Sequence, residues 1–351
     1  MNIQDYTIEA VELLKRLIAT PSISRDEKAA ADEMGRFLTE NGLSYQREGN
    51  NIWMLSPDFS LLKPTLLLNA HIDTVKPAKS WSRDPFKPTI EGDRLYGLGS
   101  NDCGGGLVSL LQVYRILASN SVNAKYNYVY LASCEEEISG ENGFSRVLPL
   151  LPKIDVAIVG EPTGMQPAVA EKGLMVLDLI ATGKSGHAAR EEGVNAIYAA
   201  LDDLNWIRNY RFERISDFLG ATKMQVTVIN AGTQHNVVPD ECNMLIDVRT
   251  NELYSNQEVF DIINQNTKCK LVAHSLRLSS SHIPLDHPLV KRCMDMGMKP
   301  FGSPTLSDQA LMPFPSLKLG PGESSRSHSA DEYICISEIE NAIRTYTEIL
   351  R

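Results

Sequence analysis

Four short apolar runs restrict the folds open to this chain: NIWML (51–55), TLLLNA (65–70), YNYVYLAS (126–133) and DVAIVG (155–160). Each has the length and β-branched or aromatic content of a buried strand. Helical patterns separate them, notably GLVSLLQVYRILAS (106–119). The opening segment is helical too, with Val11, Leu14, Leu17 and Ile18 on one face, until TPSIS breaks it at Pro21. A second helix is predicted from about Asp26 to Asn41-Gly42. Strands alternating with helices predict an α/β fold, a mixed, largely parallel sheet flanked by helices.

After residue 172 the pattern changes. LMVLDLIAT predicts a strand, NAIYAALDDLNWI a helix, KMQVTVI and CNMLIDVR two strands, NQEVFDIINQN a helix and KLVAHSLRL a strand. That βαββαβ order is the ferredoxin-like unit. Helix and strand patterns resume with HPLVKRCMDMG, SLKLG and a terminal helix from Ser337. The expected organisation is one domain from residues 1–172 and 282–351, with a second, residues 173–281, inserted into it.

The stretch GLGSNDCGGG (97–106) has two readings. A dinucleotide fingerprint requires a third glycine, where the helix packs closely on the strand beside the pyrophosphate. Asp102 stands there, and a carboxylate repels phosphate. A turn that presents Asp102 to a metal needs partners from elsewhere in the chain. In open α/β sheets such partners lie at the carboxyl ends of strands. TLLLNA runs into His71 and Asp73, YVYLASC into Glu135, Glu136 and Glu137, and DVAIVG into Glu161, while the loop after SLKLG carries His328. A triplet of glutamates is ordinarily a solvated face, and a single histidine ordinarily a surface or core residue. Five segments delivering a His or a carboxylate to the same edge point instead to a metal site. Residues two apart on a strand share a face, so Asp73 is expected to accept the second ring N–H of a metal-bound His71.

These residues carry a resemblance. HIDTV, GLGSNDCGGG, CEEEISG, GEPTG, GKSGHAA, NVVPDE and SHSADEY are similar, in order and across nearly the whole chain, to the motifs of the M20 metallopeptidases and amidohydrolases. Within that family they resemble the acetylornithine deacetylase and succinyl-diaminopimelate desuccinylase branch. The resemblance implies two zinc ions, with cobalt or manganese as substitutes. His71, Asp102 and Glu161 would hold one and Asp102, Glu137 and His328 the other, with Asp102 bridging. It implies Glu136 as general base, Asp73 in support, His187 as a second oxyanion donor, and a cis peptide at Asp102-Cys103. Asn236 and Arg249 match substrate-contacting positions, and Arg190 is a further cation near His187. The run HAAREEGVNA departs from the family by lacking a proline after the His187 motif, and CEEE stands where Asp-Glu-Glu is usual.

The activity so implied is hydrolysis of an N-acyl amino acid, first N2-acetyl-L-ornithine in arginine biosynthesis, with N-succinylornithine, N-succinyl-diaminopimelate or N-acetyl-lysine as alternatives. A dipeptidase or aminopeptidase of the same family is a second reading, and an inactive metal-binding paralogue a third. The acidic Asp331-Glu332 pair favours a substrate with a cationic side chain. A homodimer through the inserted unit is expected, with His187 reaching the partner's site. The net charge of −10 argues against a nucleic-acid partner. The N-terminus has no signal-peptide core and no apolar run approaches a membrane span. Six cysteines without a CxxC pair suggest free thiols in the cytoplasm.

Overall fold

In a computed structural model of the chain, which describes residues 2–119, 124–190 and 192–351, the chain forms two compact units. The first comprises Met1–Val169, Ile283–Phe301 and Ser307–Arg351, and the second Ala170–His282 with Gly302–Leu306.

The predicted apolar runs are the centre of the first unit's sheet. Asn51–Leu55, Asn127–Ser133, Thr65–His71, Val156–Val159 and Ser316–Lys318 lie side by side in that order. The last four are parallel to one another, as an α/β sheet requires. The flanks are antiparallel: Asn51–Leu55 against Asn127–Ser133 and against Gln46–Glu48 on one side, and Ala168–Glu171 on the other. The sheet is thus mixed, with its parallel part confined to the middle. Hairpins and short edge strands need no crossover helix, and their two to five residues give too little periodicity to read.

Thr65–His71 and Asn127–Ser133 are buried along their whole length, because helices cover the sheet. The helix Gly105–Ala118 packs on both strands and between Ile3–Ile18 and Ile336–Leu350. Its glycines allow that approach. A Cβ added to Gly106 would overlap the carbonyl oxygen of Gly160, so the helix start can press against the end of the Val156–Val159 strand. Helix Ile3–Ile18 begins with a reciprocal cap between Asn2 and Asp5. A small antiparallel sheet of Thr89–Glu91, Arg94–Tyr96 and Tyr333–Cys335 sets the entry to the 97–106 turn.

The second unit has the elements Gly173–Thr182, Ala196–Asn209, Lys223–Ala231, Glu241–Thr250, Asn256–Asn266 and Lys270–Ala273, in βαββαβ order. Its four strands form an antiparallel sheet in which Glu241–Thr250 and Gly173–Thr182 are central. One face packs Met175, Leu177, Leu179, Met244, Ile246 and Val248 against the helices. The last strand ends at Ala273, shorter than KLVAHSLRL suggested. Among the described residues, no helix is long and apolar enough to cross a membrane.

Candidate active site

Three strand ends and two loops of the first unit converge on one pocket. His71 closes the Thr65–His71 strand and is 2 % exposed. Its Nε2 lies 3.3 Å from Asp102 Oδ1 and 3.3 Å from Glu161 Oε1. His328 Nε2 lies 2.9 Å from Glu137 Oε2 and 3.6 Å from Asp102 Oδ2. Asp102 therefore turns one oxygen toward each histidine. Glu136 is next to this arrangement, its Oε2 3.8 Å from His71 Nε2.

The donors fit metal ions. Zinc takes N and O ligands at about 2.0–2.2 Å, so two ligands of one tetrahedral ion stand about 3.3–3.6 Å apart. Of the four distances among His71, Asp102, Glu161, Glu137 and His328, three fall in that span; His328 and Glu137 are closer, at hydrogen-bonding range. Glu161 Oε1 is buried and, with the His71 ring 3.3 Å away, makes no hydrogen bond, and a buried carboxylate oxygen without one is costly. His71, Asp102 and Glu137 place ligand atoms within 4.8 Å of one another, as do His71, Cys103 and Glu161. The thiol of Cys103 is no strong competitor as a ligand. Burial pushes its pKa far up, and its Sγ accepts the His71 N–H at 3.2 Å.

Crowded acids shape the protonation of the pocket. Burial raises Glu136 well above the usual carboxylate range; Glu161, Asp308 and Glu137 add to this, and His71 opposes it. Glu137 is raised by burial, with the His328 hydrogen bond acting the other way. That same hydrogen bond lifts His328 to about 9.

Around this cluster lies a scaffold of backbone contacts. The Asp102-Cys103 peptide bond is cis. Glu135 is left-handed, with φ 54°, and its carboxylate accepts the Asn142 side-chain and main-chain N–H groups at 2.9 and 3.2 Å. Asp73 differs from expectation. His71 Nδ1 is 2.8 Å from the Asp73 main-chain oxygen and 3.6 Å from its carboxylate, so the shorter contact on the ring is to the backbone. The Asp73 carboxylate instead accepts the N–H groups of Glu136 (3.0 Å) and Glu137 (3.2 Å) and the Ser24 hydroxyl (2.7 Å). It anchors the turn that carries the base and a ligand.

The Asp331-Glu332 pair is also used differently. Asp331 accepts from the Ser82 N–H and hydroxyl and the Arg83 N–H. Glu332 is 2 % exposed and accepts main-chain N–H groups of the 97–106 turn. Both acids are occupied, which removes the argument they offered for a cationic substrate. Sequence reading also missed Asp308. It is buried, accepts the Ser133 hydroxyl at 2.6 Å, and has its pKa raised by burial to about 7. No local pattern distinguishes it; only the fold brings it to Ser133.

The remaining expected residues lie in the second unit. His187 and Arg190 are exposed around the short turn Ala188–Arg190. His187 pairs with Val237, and the Ala188 N–H donates to the Asn236 oxygen at 3.1 Å, so His187 and Asn236 are neighbours. His187 Nδ1 accepts the Ala189 N–H at 3.1 Å, which leaves Nε2 to carry the proton of the neutral ring. Arg249 stands apart from them. It forms a two-pronged pair with Asp247, at 2.9 and 3.0 Å.

Comparison with known proteins places this geometry. Residues 67–351 match the model of peptidase family M20/M25/M40. The chain is 28 % identical over 375 residues to acetylornithine deacetylase of Proteus mirabilis, covering 97 % of this chain and 95 % of that protein. It is 27 % identical over 287 residues to succinyl-diaminopimelate desuccinylase of Wolbachia pipientis from Culex pipiens, covering 78 % and 72 %. Its fold is similar to that of a dinuclear metal-binding peptidase of Bacillus subtilis, with a TM-score of 0.75 at 16 % identity over 99 % of this chain and 98 % of the other.

Proposed function

The chain belongs to peptidase family M20/M25/M40, and from that premise we propose that it is a two-metal deacylase cleaving the amide bond of an N-acyl amino acid. The observation that carries the reading is the division of Asp102, one oxygen toward His71 and the other toward His328. His71, Asp102 and Glu161 would hold one ion, and Asp102, Glu137 and His328 the other. Zinc suits this N and O set, and cobalt or manganese would be accepted. Such ions supply Lewis acidity, polarising an amide carbonyl and acidifying water.

The chain's own residues do the proton work. Glu136, raised in pKa by its buried setting, is suited to take a proton from the attacking water and hand it to the departing nitrogen. The water oxygen bonds to the carbonyl carbon, the C–N bond breaks, and a carboxylate and an amine leave. Asp73 holds the Glu136-Glu137 turn through two main-chain N–H groups. His187, with its proton on Nε2, is equipped to donate to the developing oxyanion.

The likeness to acetylornithine deacetylase supports N2-acetyl-L-ornithine as the first substrate to test. The likeness to a desuccinylase supports a second reading, a succinyl acyl group. A homodimer through the second unit is supported by its exposed edge strand Lys223–Ala231, where Val228 and Ile229 are open to solvent beside Tyr198 and Leu201 of the helix Ala196–Asn209. Assay of the metal-loaded protein on N-acetyl- and N-succinyl-ornithine, N-acetyl-lysine, N-succinyl-diaminopimelate and a dipeptide panel tests the reading. Turnover of dipeptides alone would overturn it in favour of a peptidase.

A further inference from the structure

Asp308 sits at the carboxyl edge of the first unit's sheet. It opens the short turn Asp308–Leu311 and is 4 % exposed. Its Oδ2 accepts the Ser133 hydroxyl at 2.6 Å. Ser133 ends the Asn127–Ser133 strand and is the partner of His71 across the parallel pair. Asn69, two residues before His71, shares its face. The Asn69 amide is 2.9 Å from Ser133 Oγ and, with its NH2 group turned to Asp308, donates to the same Oδ2 at 3.2 Å. The Asn69 main-chain oxygen accepts the N–H of Gly160, the residue before Glu161, at 2.8 Å. One buried carboxyl group thus ties together the strand ends that present His71 and Glu161.

Glu137 and His328 are held by other contacts. Glu137 is separated from Ser133 by the left-handed Glu135, and its N–H donates to Asp73. His328 is carried by the loop after Ser316–Lys318 and bonds Glu137. Charge connects Asp308 to His71 a second time. Burial raises Asp308 to about 7 and Asp73 and Glu161 add to this, while the Ser133 hydrogen bond and the His71 ring act the other way. A buried carboxylate is ordinarily paired with a cation or bound to a metal. Among the described residues, no lysine or arginine pairs with Asp308. An ion held by His71 would bring positive charge to it.

We propose that Asp308 is a positioning residue for one metal ion only, the ion that His71 and Glu161 would hold, and that it acts through Ser133 and Asn69 on the strand ends presenting those two ligands. The inference rests on the two-metal reading and adds to it a division of support. Asp308 serves the His71 and Glu161 ion, and Asp73 serves Glu137 of the other. Contacts behind the ligands fix ligand orientation, and losing one typically costs about 10–100-fold in metal affinity. A residue that only stabilised the fold would weaken both ions alike.

The test is cobalt titration of the chelator-stripped full chain, read by visible absorption against a competing chelator. Wild type is expected to bind two ions. Asp308→Asn keeps the shape of the side chain and removes its charge; it should weaken one ion at least tenfold and leave the other unmoved. Two backgrounds identify the ion. In His328→Ala, which retains the ion at His71 and Glu161, adding Asp308→Asn should bring the full loss. In Glu161→Gln, which retains the ion at Glu137 and His328, it should add nothing. Ser133→Ala keeps the Asp308 charge and removes its link to the strand end, so it should weaken the same ion, and it carries the test in both backgrounds if Asp308→Asn does not fold. An equal loss for both ions, an unmoved affinity, or a loss confined to the Glu161→Gln background would overturn the assignment. If wild type binds a single ion, the two-metal reading fails, and Asp308 is still decided by whether its loss appears in His328→Ala and not in Glu161→Gln.

Discussion

Glu332 holds Asp102 by its main chain. One carboxylate oxygen accepts the N–H groups of Asn101 (2.8 Å) and Asp102 (2.9 Å), and the other accepts that of Gly99 (3.1 Å). The residue so fixed turns one carboxylate oxygen toward each site histidine. Removing the acceptor would leave three N–H groups in a largely buried turn without a partner. Burial lifts the Glu332 carboxyl to about 8, so at neutral pH these count as ordinary hydrogen bonds of about 0.5–1.5 kcal/mol each, and Glu332→Ala is expected to cost about 1.5–4.5 kcal/mol. Metal affinity should fall at least tenfold, read by competition with a chelator. The melting temperature of the metal-free protein should fall as well. Unchanged metal affinity would show that the turn keeps its shape without Glu332.

Asp73 and Glu136 separate support from chemistry. Asp73 accepts the Glu136 and Glu137 N–H groups, so Asp73→Asn disturbs base and ligand together. Losing such outer contacts typically costs about 10–100-fold in metal affinity or activity, and both are expected to drop here. Glu136→Gln keeps the shape of the side chain and loses only the capacity to take a proton. Its metal content should be near normal and its kcat lower by about 10²–10⁴-fold. Metal loss in Glu136→Gln would exchange the roles of Glu136 and Glu137.

The His328–Glu137 pair sets a pH dependence. In the metal-free protein the Glu137 hydrogen bond holds His328 at about 9, above its ordinary value of 6.5. The shift is upward, so the stability it contributes is complete below pH 6.5 and disappears as pH rises through 9. A histidine must be neutral to bind a metal. Metal affinity of the apoprotein is therefore expected to rise between pH 6.5 and 9, with proton release on binding. Titrations across that window in buffers of different ionisation enthalpy measure both. His328→Ala should flatten the rise, and a rise of the same steepness in that variant would assign it to another group.

The sequence was most legible where a functional side chain follows a long strand. His71 and Glu161 end or follow buried apolar runs that length and content mark out, and the turn at Asp102 is marked by its glycines. Asp73 and Glu332 were legible as acids near the site and misread in role. Whether a carboxylate meets an imidazole, a ligand or a main-chain N–H depends on ångström-scale approach. That approach comes from elements too short to show periodicity, such as Tyr333–Cys335 against Arg94–Tyr96. Arg249 is legible as a cation of the second unit, and its pairing with Asp247 is a same-strand contact two residues apart.

His187 provides a test of assembly. It is exposed at a loop of the second unit, with Nε2 available to donate, and the family resemblance implies that it serves the partner's site. Glu136→Gln and His187→Ala homodimers should each be nearly inactive. In a mixed two-fold dimer, one site combines both lesions and the other combines the intact Glu136 of one chain with the intact His187 of its partner. Random exchange makes half the dimers mixed, so about a quarter of wild-type activity should return. A preparation verified to contain mixed dimers that regains nothing would place His187 in its own chain's site or outside catalysis. Exchange monitored by native mass spectrometry keeps that outcome distinct from a failure to mix, and a monomeric mass throughout would remove the dimer itself.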